Sequence, residues 1–366
     1  MFIGLIFMAT NRDGFIDFSK GLLILWVVQI HTVFWPYISD LFLELSLLID
    51  VALFFFISGY LTKVLDLGSL VRKSFKQFKN LYLEYLILSC LLLVPLGLFY
   101  FLKEKSFPNW QIAIISMLKV KPSGDLWEDL LLYHGSLWYL AVYFSLLAVV
   151  PFFVTMFGSR KHRIIILTTV LVLFVIFSGL GWNYPFLFTE TIYVFFYLFI
   201  FLLGTAYKLE QQNLSLRYLK LSLLANVTVC LLIFFFVMDG RLQLIDNKLP
   251  PTVIYLPYCL MLIHVFAIVR KTWNYGAISS SNQLLQFLEW CGKNSYVIYL
   301  MQGIVCSIPG YFIPLLLKND VPKLGIYLIS LLFNLTFTLL LSFIWNRSKS
   351  LFSTSLTTIM ARSNSH

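Results

Sequence analysis

Apolar runs long enough to cross a bilayer as helices recur from one end of this sequence to the other. A hydrocarbon core of ~30 Å takes ~20 residues of helix at ~1.5 Å each. Runs of that length fall near residues 20–38, 45–64, 81–102, 135–157, 164–181, 189–207, 219–238, 252–269, 291–313 and 324–345. Lipid offers no partner for backbone N–H and C=O groups, so such runs become helices that satisfy themselves. The expectation is an all-α, polytopic integral membrane protein with about ten transmembrane helices. No segment between the runs could hold a soluble domain of ~100 residues. Residues 1–366 therefore read as a single transmembrane domain, with a core at about 12–345 and short tails. With 60% hydrophobic and 12% charged residues, a soluble globular protein is excluded.

The net charge of +10 invites comparison with nucleic-acid binders, but the basic residues come in short bursts between apolar runs, the pattern that membrane topology produces. With the N-terminus inside, nineteen of the 27 Lys and Arg residues face the cytoplasm and eight face out, so both termini are expected to be cytoplasmic. Met1 to Thr10 carries no charge and reads as a tail or an upstream start rather than a signal peptide. Cys90, Cys230, Cys259, Cys291 and Cys306 contain no C-x-x-C pair and lie in or beside apolar runs, which suits packing rather than a disulfide or metal framework. No metal site is expected. Residues 103–134, the longest outer segment, read as a loop with a short interfacial helix, and Pro250–Pro251 as the start of the eighth span.

Ionisable groups inside a bilayer need a partner or a task. His31 lies eleven residues after Lys20, hence ~16 Å along a helix and near mid-membrane. It is either a base within reach of a substrate or a neutral histidine hydrogen-bonded between helices. Just before it, Asp17 and Lys20 share a helical face, with Arg12 a third charge, although acidic groups also suit an ordinary helix start. Arg72, Lys73, Lys76 and Lys79 repeat at helical spacing on the cytoplasmic side, a face suited to phosphates and equally to topology alone. Toward the outside, Asp50, His134 and Glu190 could form a polar pocket for a hydroxyl-rich acceptor, with Gln302 and Asn294 facing it, and each of the three could equally be a solvated helix end. Glu44 reads as a solvated helix end. Patterns for zinc chemistry, a serine elbow or ATP cradling are absent.

Four segments occur in an order that resembles the integral-membrane acyltransferase-three family, the sugar O-acyltransferases. Residues 16–21, Ile-Asp-Phe-Ser-Lys-Gly, followed by His31, are similar to that family's D-x-x-[RK]-G helix, with ten residues between Lys20 and His31. Residues 54–60, Phe-Phe-Phe-Ile-Ser-Gly-Tyr, are similar to its F-F-x-x-S-G-[FY] segment and contribute Ser58 and Gly59. Residues 137–140, Leu-Trp-Tyr-Leu, resemble its L-W-[FY]-L segment, which brings in Trp138. Residues 290–300 resemble its late G-K-x-S-x-x-[IL]-Y-L element, which contains Asn294 and Ser295. The family's basic R-x-x-R element is met only by lysines, as in Lys76 and Lys79, and Gln302 stands where many members have histidine.

The resemblance implies a membrane-embedded O-acyltransferase that moves an acyl group, commonly acetyl, from cytoplasmic acyl-CoA to a hydroxyl of a cell-surface or lipid-linked saccharide. His31 would act as base or transient acyl carrier. Lys20, Arg72, Lys73, Lys76 and Lys79 would bind the donor, and Asp50, His134, Trp138, Glu190 and Gln302 would line the acceptor pocket. Arg12, Asp17, Ser58, Gly59, Asn294 and Ser295 would support the motifs. Acetyl-CoA enters as a substrate rather than a resident cofactor. Membrane lipids are partners, nucleic acid is not, and the setting expected is a multi-pass protein of a bacterial inner membrane. The alternative is a transporter or flippase of a lipid-linked saccharide, for which no inverted repeat is visible.

Overall fold

A computed structural model describes residues 13–33, 35, 40–49, 51–121, 127, 130–276 and 282–363. Arg12 and Asp50 lie outside them, as does the side chain of His134. The chain begins with α1 (Gly14–Val33), α2 (Asp40–Ser46), α3 (Ala52–Leu61) and α4 (Leu67–Glu104). Two short helices follow, α5 (Trp110–Leu118) and α6 (Leu131–Ser136), then the long α7 (Trp138–Thr155) and α8 (Arg160–Gly179). A hairpin of two-residue strands, β1 (Pro185–Phe186) and β2 (Thr189–Glu190), leads into α9 (Thr191–Glu210) and α10 (Leu216–Phe236). The remainder comprises α11 (Leu244–Lys248), α12 (Tyr255–Thr272), α13 (Gln283–Lys293), α14 (Ser295–Val305), α15 (Pro309–Lys318) and α16 (Lys323–Ser363).

The protein is an all-α polytopic membrane protein. Among the described residues, seven helices are long and apolar enough to span: α1, α4, α7, α8, α9, α10 and the Lys323–Leu351 part of α16. The pair α14 and α15, bent by 46°, makes an eighth if it is one span. The count by length and apolarity is thus seven or eight rather than ten. The expected second span is broken into α2 and a ten-residue α3 that rises only ~15 Å, half a hydrocarbon core. The expected eighth is α12, an 18-residue helix whose last turn carries Arg270 and Lys271. It starts at Tyr255, so Pro250–Pro251 precedes the helix instead of opening it. The expected interfacial helix of the outer segment is α5, held to Trp127 by the indole N–H donating to the Ala113 carbonyl at 3.2 Å.

Helix association in lipid depends on close van der Waals packing, because lipid tails are as apolar as leucine. Here the motif glycines supply that closeness. A Cβ built on Gly21 of α1 would lie 1.9 Å from the Leu288 carbonyl oxygen of α13, and one on Gly59 of α3 would lie 1.8 Å from the Phe201 oxygen of α9. Gly204 answers Gly59 from the other helix, its Cβ position 2.0 Å from the Phe56 oxygen. Thr205 Oγ1 donates to the Gly59 carbonyl at 3.0 Å across the same seam. These contacts join α1 to α13 and α3 to α9. The apolar windows of α1 and α9 are 67% buried, against 11% for α8 and α10, which present their side chains outward to lipid.

Ion pairs occur on both sides of the charge asymmetry: Lys103 pairs with Glu104 at 3.6 Å on the expected outer side, and several others fall on the expected cytoplasmic side. Asp13 pairs with Arg270, Arg163 with Glu210, Lys293 with Glu289 and Lys349 with Glu84. Arg270, Arg163, Lys293 and Lys349 are residues that the charge asymmetry assigns to the cytoplasm. Glu44, expected to be a solvated helix end, is buried instead. Its carboxylate accepts the backbone N–H groups of Leu244 and Ile245 at the start of α11, because first-turn donors have no partner within their own helix.

Candidate active site

One face of α1 carries Lys20, Ile24, Val27 and His31, residues spaced by four, three and four positions and therefore stacked along the helix. The first three line a cavity of about 210 Å³ between α1, α3, α4, α7 and α14. His31 continues the row one turn beyond Val27. It is half-buried and its Nδ1 atom is shielded from solvent. On the opposite wall, α14 contributes Ser295, Tyr296 and Tyr299. Gln302 follows Tyr299 by three residues on that side, fully buried, with neither amide atom hydrogen-bonded among the described residues. His31 and Gln302 continue the two rows by helical spacing and are not among the residues that line the cavity.

Aromatic side chains narrow the cavity. Tyr139 packs on Phe55 with ring centroids 4.8 Å apart and on Tyr299 at 5.4 Å. The Tyr299 hydroxyl donates to the Ser136 carbonyl, and Gln77 Nε2 donates to the Tyr143 hydroxyl at 2.7 Å. Ser58 lines the same space from α3, so within the Ser-Gly motif the serine faces the cavity while Gly59 makes the helix contact.

Two recesses join the cavity at its mouth, and Lys20 belongs to all three. One, of about 270 Å³, adds Lys73, Ser74 and Thr62. The other, of about 650 Å³, adds Asp13, Asp17, Lys63 and Lys208. Four lysines, at positions 20, 63, 73 and 208, thus ring the entrance. Of the expected basic cluster only Lys73 takes part. Arg72, Lys76 and Lys79, exposed as Lys73 also is, line none of these spaces, and the α4 residues that line the smaller recess are Leu70, Lys73, Ser74 and Gln77. Behind the entrance, the buried Tyr60 hydroxyl accepts from Arg270 Nε at 3.2 Å and Lys208 Nζ at 3.3 Å, and donates to Gln211 at 3.1 Å. Tyr60, Lys208 and Arg270 were not singled out from sequence. Tyr60 ends a quoted motif, whereas its two cations come from distant helices.

The other motif residues divide between support and site. Asn294 does not face the cavity: its Nδ2 donates to the Trp290 carbonyl at 2.7 Å and its Oδ1 accepts from Asn346 at 2.9 Å. Asp17 is buried at the base of the larger recess. On the outer side, Trp138 packs on Tyr193 at 6.0 Å, with the Lys248 ammonium 5.4 Å from a Trp138 ring centroid. Glu190, three residues before Tyr193, accepts from Asn183 Nδ2. The helix carrying His134, α6, packs against the turn of α14 next to Gln302, where a Cβ on Gly303 would stand 3.1 Å from the Tyr133 Cα. Among the described residues no group of three His, Cys, Asp or Glu side chains could hold a metal ion.

A family model described as an acyltransferase domain, that of the acyltransferase-three family, matches residues 13–345. The chain belongs to that family. Its matched span covers α1 through most of α16, so the cavity, the lysine-ringed mouth and the His31 row all fall within the acyltransferase domain. No curated protein and no solved structure matches the chain. The family assignment makes this a membrane acyltransferase and favours group transfer over the carrier reading.

Proposed function

We propose that this acyltransferase takes an acetyl group from coenzyme A at its basic end and places it on a hydroxyl of a cell-surface or lipid-linked saccharide in a bacterial inner membrane. The observation that carries the reading is the row Lys20, Ile24, Val27 and His31, in which a cation-rich mouth and a half-buried imidazole share one helix face ~16 Å apart. Lys20, Lys63, Lys73 and Lys208 offer positive charge to the donor's phosphates, and the narrow cavity admits the flexible pantetheine arm and its thioester.

Sugar hydroxyls are weak nucleophiles near neutral pH, so attack requires a base with a pKa near the working pH, which imidazole supplies. The hydroxyl oxygen bonds to the thioester carbonyl carbon as His31 takes its proton. The carbon–sulfur bond then breaks, and the thiolate leaves with the proton from the imidazolium. In the covalent version the imidazole nitrogen attacks the thioester first and the sugar oxygen receives the acyl group from it. Either way, negative charge develops on the carbonyl oxygen and calls for a donor. The Gln302 amide, at the interior end of the α14 row, is the group we assign to that task. It can donate hydrogen bonds but cannot titrate. Trp138, Tyr193 and Glu190 would meet the saccharide on the outer side.

Purified protein in liposomes, given acetyl-CoA labelled in the acetyl group and a panel of lipid-linked and soluble glycans, tests the reading. Label should appear on glycan as an ester. Recovery of label only as free acetate, with no acylated glycan, would overturn the acceptor assignment.

A further inference from the structure

A second cavity, unconnected to the lysine-ringed entrance, opens between α8, α9, α10 and α12. It holds about 420 Å³. Its walls are apolar: Leu167 from α8, Phe199 and Leu203 from α9, and Leu260 and Ile263 from α12. Two of the helices that line it, α8 and α10, are those whose windows are only 11% buried, so the groove lies at the lipid-facing surface. On α9 it reaches from Phe199 to Glu210, eleven residues or ~16 Å, which is the depth of one leaflet.

Its mouth is charged. Arg160 and Arg163 face a single carboxylate, Glu210, leaving one net positive charge. Arg163 is committed: it pairs with Glu210 and its Nη1 donates to the Phe157 carbonyl at 3.1 Å. Arg160 is exposed and makes no ion pair among the described residues. Deeper in the groove, Ser222 and His264 form a polar shelf. His264 Nδ1 lies 2.7 Å from the Leu260 carbonyl, so that nitrogen carries the hydrogen. Nε2, 2.7 Å from Ser222 Oγ, then accepts from the hydroxyl.

An apolar slot one leaflet deep, with one uncommitted arginine at the membrane surface, matches one class of molecule. We propose that this groove binds an anionic glycerophospholipid, with acyl chains along Leu167, Phe199 and Leu203 and the phosphate at Arg160. Basic pockets between membrane helices recognise lipid headgroups by this charge logic. The site differs from the acyl-transfer cavity, yet Phe56 of α3 lines the groove while Phe54 and Ser58 of the same helix line the cavity. A bound lipid would therefore brace α3 from behind.

The test is native mass spectrometry of the purified full-length protein in detergent, titrated with dioleoyl phosphatidylglycerol, dioleoyl phosphatidylcholine or inorganic phosphate, with thermal unfolding measured in parallel. One phosphatidylglycerol should be retained and should raise the unfolding temperature, whereas phosphatidylcholine binds more weakly and phosphate does nothing. Arg160→Gln should narrow the preference for phosphatidylglycerol by ~5-fold, the effect of one cation near a membrane surface. Leu167→Trp should block retention of both lipids by filling the slot. Equal retention of the two lipids by the unaltered protein, a preference unchanged in Arg160→Gln, or undiminished retention in a well-folded Leu167→Trp would each overturn the proposal.

Discussion

Gly292 of α13 and Asp17 of α1 touch backbone to side-chain-free backbone: a Cβ built on Gly292 would lie 1.7 Å from the Asp17 carbonyl oxygen. The contact sits one helical turn from Lys20, so the approach of α13 sets where the first residue of the Lys20–His31 row stands. The late G-K element and the opening D-x-x-K-G element are therefore two sides of one helix crossing.

Gly292→Ala cannot be absorbed by moving a flexible side chain, because the obstacle is backbone. Forcing extra atoms into a well-packed contact costs ~1–3 kcal/mol, and a backbone clash falls at the upper end. Thermal unfolding in detergent should show a clear drop in stability. An unchanged unfolding temperature would mean the two helices do not cross there.

His31→Gln keeps a polar side chain of similar reach but cannot accept a proton. Loss of a general base typically lowers rate by ~10² to 10⁴. Acetyl transfer should nearly vanish while membrane insertion and unfolding temperature persist. Trapping a labelled acyl-histidine in the unaltered protein would select the covalent route, and substantial turnover by folded His31→Gln would remove the residue from either mechanism.

Charge at the lysine-ringed entrance, proposed to take the donor, can be tested by contrast between two lysines of α4. Both lysines are exposed, but Lys73→Gln removes one that lines the recess and Lys79→Gln one that does not. The first should raise the KM for acetyl-CoA, with a salt dependence weaker than that of the unaltered protein, and the second should leave both near their original values. Equal effects of the two would point to a diffuse field instead of a seated donor.

Gln302→Leu separates function from stability. A buried amide with no hydrogen-bond partner among the described residues destabilises by its lost hydration, so an apolar side chain of similar size should leave the unfolding temperature equal or higher. If the amide stabilises the oxyanion, kcat should fall by ~10²-fold or more. A stable variant with normal kcat would dismiss that assignment.

Orientation rests on charge asymmetry and is open to labelling. In a background without the native cysteines, Arg217→Cys should react with a membrane-impermeant reagent only from the cytoplasmic side, and Lys318→Cys only from outside. Reversed accessibility would invert the topology.

How far sequence reaches is clear at particular positions. The placement of His31 relative to Lys20 followed from helical rise alone, and the all-α membrane class followed from the apolar runs. Both are local properties, since a helix in lipid satisfies its own backbone and its geometry needs no distant partner. The glycines of the motifs were visible, but their purpose was not, because Gly59 against Phe201 and Gly292 against Asp17 are contacts between segments far apart in the chain. The same holds for the entrance. Helical spacing grouped Arg72, Lys73, Lys76 and Lys79 together, yet only the packing of α4 decided that Lys73 lines a recess, and only the fold brought Lys63 and Lys208 beside Lys20. Glu44 shows the limit most sharply. A carboxylate at a helix end reads as solvated until tertiary structure sets the first N–H groups of α11, two hundred residues later, against its oxygens. Periodicity fixes which residues share a face, whereas what that face meets depends on helices that only tertiary packing brings together.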